Sequence, residues 1–204
     1  MEPSEDTLET SVSEGDAMAE DGRPARQERL RVLVSEAALA RHVDVLASAI
    51  TRDVPATETL VVVGVLKGSL VFLADVIRRL PMPIEVELVE TKRAAGADRH
   101  EPVRVLDDLE ALPVAGRNVL LLDCVLNSGR TLEVLRSGLW ALGPASLRTC
   151  VLLRKARRDA VGPPPDYVGQ EIPDTFVVGY GLDHANRWRH LPYVAELLED
   201  PVRE

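Results

Sequence analysis

The sequence holds only two cysteines, Cys124 and Cys150, and neither has a CxxC partner or a cluster of metal-ligating side chains beside it. A disulfide-stapled scaffold is thereby excluded and a zinc site disfavoured; two buried free thiols in a reducing compartment are expected. No run of about 18 apolar residues is present to span a bilayer, and the chain lacks the basic start and apolar middle of a signal peptide. The expected location is the cytoplasm, with no membrane partner. An excess of basic residues is missing as well. The net charge is -9, yet residues 1–22 alone carry eight Asp or Glu and no Lys or Arg, which leaves 25 acidic against 24 basic residues. So neutral a body has no footprint for nucleic acid. Two common nucleotide cradles, the Walker pattern GxxxxGK[ST] and a GxGxxG after a strand, are absent too, and no internal repeat is visible.

What is present is a chain of 204 residues, enough for one domain that buries about 70% of its unfolded surface. Residues 1–30, acidic and poor in large apolar side chains, are expected to form a disordered tail ahead of a single domain over 31–204. From Val34 to Thr51, apolar residues recur at helical spacing behind a Ser35 cap. "TLVVVGVL" (59–66) reads as a buried strand, followed by a turn at Lys67-Gly68-Ser69 and a helix through Leu70, Leu73 and Ile77. "PIEVELVE" (83–90), "NVLLLDC" (118–124), "RTCVLLR" (148–154) and "TFVVGYGL" (175–182) supply further strands, with a helix from Leu132 that closes at Gly143. Apolar strands alternating with amphipathic helices predict an α/β domain, a parallel sheet covered on both faces. Residues 91–117, charged and broken by Gly and Pro, read as a long loop of the kind used as a lid.

Ligands of such sheets bind beyond the carboxyl ends of the strands. The strongest candidate there is "NSGRT" (127–131): Gly129 permits close approach of backbone, Ser128 and Thr131 offer hydroxyls, and a helix start points unpaired N–H groups at the same spot. A phosphate fits such a cradle. Taken singly it is also an ordinary helix cap, and its company is what separates the two. Asp123 puts a carboxylate beside it, suited to sugar hydroxyls or magnesium. Lys67 and Lys155 add cations at neighbouring strand ends, and "DTFVVGYGLDHANRWRH" (174–190) adds the ring of Phe176, the carboxylate of Asp183 and the cation of Arg189.

Five motifs in order, "LVSEAALARHVDVLASAI", "VVVGVLKGSLVFLADVIRRL", "NVLLLDCVLNSGRTL", "LLRKARRDAVGPPPDYVGQEIPDTFVVGYGLD" and "RWRHLPYV", resemble the hypoxanthine-guanine phosphoribosyltransferases over nearly all of Arg31–Glu199. The resemblance implies a type I phosphoribosyltransferase fold: a central, mostly parallel sheet flanked by helices, with a mobile lid loop and a small hood. It also implies a purine-salvage reaction that joins hypoxanthine or guanine to phosphoribosyl pyrophosphate, giving IMP or GMP and pyrophosphate, with magnesium as cofactor and a homodimer or homotetramer as the assembly. By the same resemblance, Asn127, Ser128, Gly129, Arg130 and Thr131 bind the 5′-phosphate. Lys67, after a cis Leu66–Lys67 peptide, meets the pyrophosphate together with Gly68 and Arg189. Lys155, Phe176, Val177 and Asp183 surround the purine, and Asp183 and Asp123 hold metal. The catalytic positions it implies are Asn127, Lys155 and Asp123.

Three positions depart from the family pattern. Cys124 stands where a second carboxylate is usual, Asn127 replaces an Asp that takes or relays the purine N7 proton, and Arg93-Ala94 occupies the place of a Ser-Tyr pair in the lid. An amide cannot accept a proton near neutral pH, and loss of a general base typically lowers rate by about 10² to 10⁴. Two readings therefore stand side by side: a working salvage enzyme, or a weak or inactive relative that binds a nucleotide or phosphoribosyl pyrophosphate as a sensor or regulator.

Overall fold

Every residue from Leu60 to Val65 is buried, which a strand achieves only when both faces of its sheet are covered. The computed structural model of the protein describes residues 9–10, 29–92, 103–157 and 159–198. Among the described residues, ten strands, β1 (Glu9–Thr10), β2 (Arg29–Val34), β3 (Leu60–Leu66), β4 (Ile84–Lys92), β5 (Arg104–Val105), β6 (Asn118–Leu126), β7 (Ser146–Lys155), β8 (Tyr167–Ile172), β9 (Val177–Val178) and β10 (Val194–Leu198), accompany three α-helices. The helices are α1 (Glu36–Asp53), α2 (Leu70–Ile77) and α3 (Arg130–Ala141).

The main sheet runs β5-β4-β3-β6-β7-β8 and is parallel except at β5. Alternation along β3 divides the core. Leu60 and Val62 pack with Leu39, Val43 and Ile50 of α1 and with Phe72 and Val76 of α2. Val61, Val63 and Val65 pack on the opposite face with Leu132, Leu135 and Leu139 of α3. Each fully buried Val or Leu contributes about 1.5 to 3 kcal/mol, so this double layer fixes the strand ends from which the turns project. A second, antiparallel sheet of order β1-β2-β10-β9 surrounds Leu30, Val178, Trp188, Leu191 and Ala195. This is the small hood of the expected fold.

Several boundaries differ from the sequence expectation. Ser35 does cap α1, its Oγ accepting the Ala38 N–H at 3.3 Å, but the helix begins at Glu36, and Leu33 and Val34 belong to β2. β2 itself starts at Arg29, two residues before the expected domain start, and Glu9–Thr10 pairs with Leu30–Arg31. The rest of the expected tail lies outside the described residues. Of the 175–182 stretch only Val177–Val178 is strand, and it joins the antiparallel hood; the chain then doubles back through a Gly179–Leu182 bridge. The parallel sheet takes its outer strand instead from β8, where Gln170 and Glu171 break the apolar signal.

The 91–117 segment is more regular than a long loop. β4 extends to Lys92 and pairs with β5, Leu109–Ala111 form a 3-10 turn, and Val114 is fully buried. Residues 93–102, with the Arg93-Ala94 position of the lid, lie outside the described residues. Among the described residues, no helix is long and apolar enough to cross a membrane.

Candidate functional site

β3, β6 and β7 run parallel as neighbours, so the residues that follow them emerge along one edge of the sheet. After β3 comes a cis Leu66–Lys67 peptide, as the resemblance implied. Ser69 ends that turn with its Oγ buried and donating to the Val65 carbonyl at 2.6 Å. Gly68 faces the hairpin near residue 181: a Cβ on Gly181 would lie 2.6 Å from the Gly68 carbonyl oxygen, and Gly181 has φ +95°. Only glycine permits that approach. Arg189 then holds the hairpin, donating to the Gly181 carbonyl at 2.7 Å and pairing with Asp183 at 2.8 Å. Asp183 also accepts the Asn186 N–H at 2.8 Å. Lys67, Gly68, Asp183 and Arg189 thus share one corner.

After β6, Asn127-Ser128-Gly129 leads into α3. Asp123, half-buried, accepts the Cys124 backbone N–H at 2.7 Å. Gly129 has φ +81°, and a Cβ there would fall 2.2 Å from the Val161 carbonyl oxygen. The Val161 backbone is therefore a close neighbour of Gly129, and it alone already demands glycine there. Val161 also donates its N–H to the Ser128 carbonyl at 2.9 Å, and Gly162 followed by Pro163, Pro164 and Pro165 carries the chain back toward β8. The Ser128 hydroxyl is buried and has no hydrogen-bond partner among the described residues. An orphaned buried hydroxyl costs about 1 to 3 kcal/mol, a cost that an arriving phosphate oxygen removes.

The link between this loop and the next strand is a residue that sequence reading passed over. Arg157, with a side chain only 11% exposed, reaches Asn127 Oδ1 at 3.4 Å, grips Asp174 at 2.9 and 3.1 Å, and grips Asp159 at 2.7 and 2.9 Å. Within "LLRKARR" it looked like one more solvated cation; the signal was the pair of carboxylates flanking it at Asp159 and Asp174. Lys155 lies 3.8 Å from Asp174. Burial holds its ammonium below the ordinary lysine value, Asp174 opposes that shift and Arg157 adds to it. Two residues past Asp174, the Phe176 ring is 51% exposed and meets His184 edge-on at 5.3 Å. An open ring beside a partly desolvated lysine offers a flat surface and a strong donor. Val177, buried, pairs with Glu196 of β10.

These contacts join the four segments in series. Arg157 joins the 127–131 loop to the Lys155–Phe176 segment, the Phe176–His184 contact joins that segment to the hairpin, and the Gly181–Gly68 approach joins the hairpin to the Lys67 turn. Cys124 stands apart from this polar edge. Its thiol is fully buried and burial, reinforced by Asp123, pushes it up, so it is inert near neutral pH. No three His, Cys, Asp or Glu side chains cluster as a metal cage among the described residues. Single carboxylates such as Asp183 and Asp123 suit magnesium, which keeps waters and takes one or two carboxylates plus substrate phosphates.

With this geometry in place, comparison with known proteins is specific. The family model for the phosphoribosyl transferase domain matches residues 33–185. Hypoxanthine phosphoribosyltransferase of Haemophilus influenzae is 38% identical over 176 residues, 85% of this chain and 98% of that protein. Hypoxanthine-guanine phosphoribosyltransferase of Dictyostelium discoideum is 36% identical over 173 residues, 83% of this chain and 96% of that one. A crystal structure of a hypoxanthine-guanine phosphoribosyltransferase from Bacillus anthracis superposes with a TM-score of 0.76 at 36% identity, covering 82% of this chain and 98% of the other.

Proposed function

This chain belongs to the phosphoribosyltransferase family, and on that premise we propose that it transfers the ribosyl 5-phosphate of phosphoribosyl pyrophosphate to N9 of a 6-oxopurine, hypoxanthine or guanine. The observation that carries this reading is the Arg157 bridge, which ties the loop of the orphaned Ser128 hydroxyl to Asp174, the carboxylate 3.8 Å from Lys155 and two residues before the exposed Phe176. A ligand held there has an anionic sugar end and a flat heterocyclic end.

The residues divide the work by charge. The 5′-phosphate sits among Asn127, Ser128, Gly129, Arg130 and Thr131, where the first turn of α3 presents N–H groups and Ser128 gains its missing partner. Phe176 stacks on the base, Lys155 donates to the 6-oxo oxygen, and the backbone of Val177 meets the purine edge. Asp123 accepts from a ribose hydroxyl. As the glycosidic carbon takes on positive charge, negative charge collects on the departing pyrophosphate; Lys67, the Gly68 N–H and Arg189 neutralise it. Asp183 and Asp123 would hold magnesium, which supplies charge neutralisation at the pyrophosphate oxygens. A cytoplasmic homodimer or homotetramer is the assembly proposed with this activity.

The test mixes purified protein, magnesium, phosphoribosyl pyrophosphate and hypoxanthine or guanine, and follows nucleotide formation together with nucleotide binding. Turnover is expected. Binding without turnover assigns the chain to the sensor role, and neither binding nor turnover removes both readings.

A further inference from the structure

We propose that Arg157 sets the polarity of the hydrogen bond this site makes to purine N7, turning Asn127 into a donor that recognises N7 only when it carries a lone pair and no proton. The inference deepens the functional reading above and rests on it for the placement of the base.

A guanidinium has donors and no acceptor, so whichever way the Asn127 amide is turned, only its oxygen satisfies Arg157. The Asn127 Oδ1 lies 3.4 Å from Arg157 Nη1. Arg157 is itself held in place: Asp174 and Asp159 each grip it through two contacts, and its side chain is 11% exposed. A half turn of the amide would set its NH2 group against a fixed cation. With the oxygen committed on that side, the end of Asn127 presented to a ligand is the NH2, a donor. A carboxylate at the same position would offer only acceptor oxygens and would select a base with hydrogen on N7.

The consequence is a preference written into ring chemistry. A 9-substituted purine nucleotide has a bare N7, and so does the purine anion left once the imidazole proton has gone to water; both match a donor, and the anion keeps the N9 lone pair that the transfer needs. A base with hydrogen on N7 sets donor against donor. Arg157 touches neither base nor sugar in this arrangement and acts through Asn127, as a positioning residue.

The experiment compares GMP with 7-deaza-GMP, in which N7 becomes C–H, by calorimetric titration of the full-length protein. The net worth of one such hydrogen bond predicts that 7-deaza-GMP binds about 3- to 10-fold more weakly. Equal affinities for the two nucleotides overturn the proposal while leaving the functional reading in place; failure of both to bind overturns the functional reading itself. Two variants extend the test. Arg157→Met frees the amide to turn, and the discrimination between GMP and 7-deaza-GMP should shrink toward unity. Asn127→Asp should prefer 9-deazaguanine, which bears hydrogen on N7, over its binding by the parent protein. The ratio measured on the parent protein decides the matter even where a variant fails to fold. A merely structural Arg157 would weaken both nucleotides alike and leave their ratio unchanged.

Discussion

Replacing Gly129 by Ala tests how the phosphate loop is built, and Gly143→Ala supplies its control. Both glycines have positive φ, +81° and +71°, so either substitution forces an L side chain into the left-handed region at a cost of about 1 to 2 kcal/mol. Their surroundings differ. A Cβ at Gly143 meets nothing within 4 Å, whereas at Gly129 it would stand 2.2 Å from the Val161 carbonyl oxygen. The two groups must then separate by roughly 1 Å to reach ordinary contact. That displacement pulls on the 2.9 Å hydrogen bond from Val161 N–H to the Ser128 carbonyl, worth about 0.5 to 1.5 kcal/mol. Gly143→Ala should therefore lose about 1 to 2 kcal/mol and Gly129→Ala about 1.5 to 3.5 kcal/mol in urea unfolding. Nucleotide affinity should fall in the second variant and hold in the first. Equal destabilisation by the two, with affinity intact in both, would refute the claim that Val161 braces the loop.

Ser128→Ala removes a buried hydroxyl that has no partner among the described residues; the unliganded protein should gain about 1 to 3 kcal/mol of stability, while affinity for a 5′-phosphate nucleotide drops about 3- to 10-fold. Thermal melts with and without IMP separate the two effects. Lys155→Ala should abolish the preference for 6-oxopurines over adenine in competition binding. Because burial lowers the Lys155 pKa, its ammonium is lost as pH rises at a lower pH than that of an ordinary lysine. IMP affinity should thus fall with rising pH earlier in the parent than in Lys155→Arg, a difference that ring deprotonation, common to both, does not produce. Coincident profiles would contradict the assigned desolvation.

Much of the site was legible because its residues follow strands whose apolar runs cannot be mistaken. Lys67, Asn127 and Lys155 inherit their placement from β3, β6 and β7, each marked by consecutive Val and Leu. Phe176 and Asp183 were found by chemistry, not by periodicity; the strand assigned to 175–182 was mostly wrong, since Gly179 and Gly181 turn the chain where the apolar pattern suggested continuation. β8 stayed hidden because an outer strand with one exposed edge tolerates Gln170 and Glu171. Arg157 stayed hidden for a different reason: Asp159 lies beside it in sequence, but the second carboxylate, Asp174, and the Asn127 amide belong to segments whose approach depends on the fold.

Three consecutive prolines, 163–165, stand between Val161 and the outer strand β8. Proline fixes φ near -65°, so this stretch has little freedom to coil or stretch and works as a spacer of set length. The far end is anchored at Asp166, which accepts the backbone N–H and hydroxyl of Thr149, both at 2.8 Å. Removing one proline would shorten the spacer by roughly 3 Å, more than the gap between Val161 and Gly129 can absorb. The width of the sheet's outer margin is thus coupled, through a rod that does not bend, to the shape of a cradle two strands away.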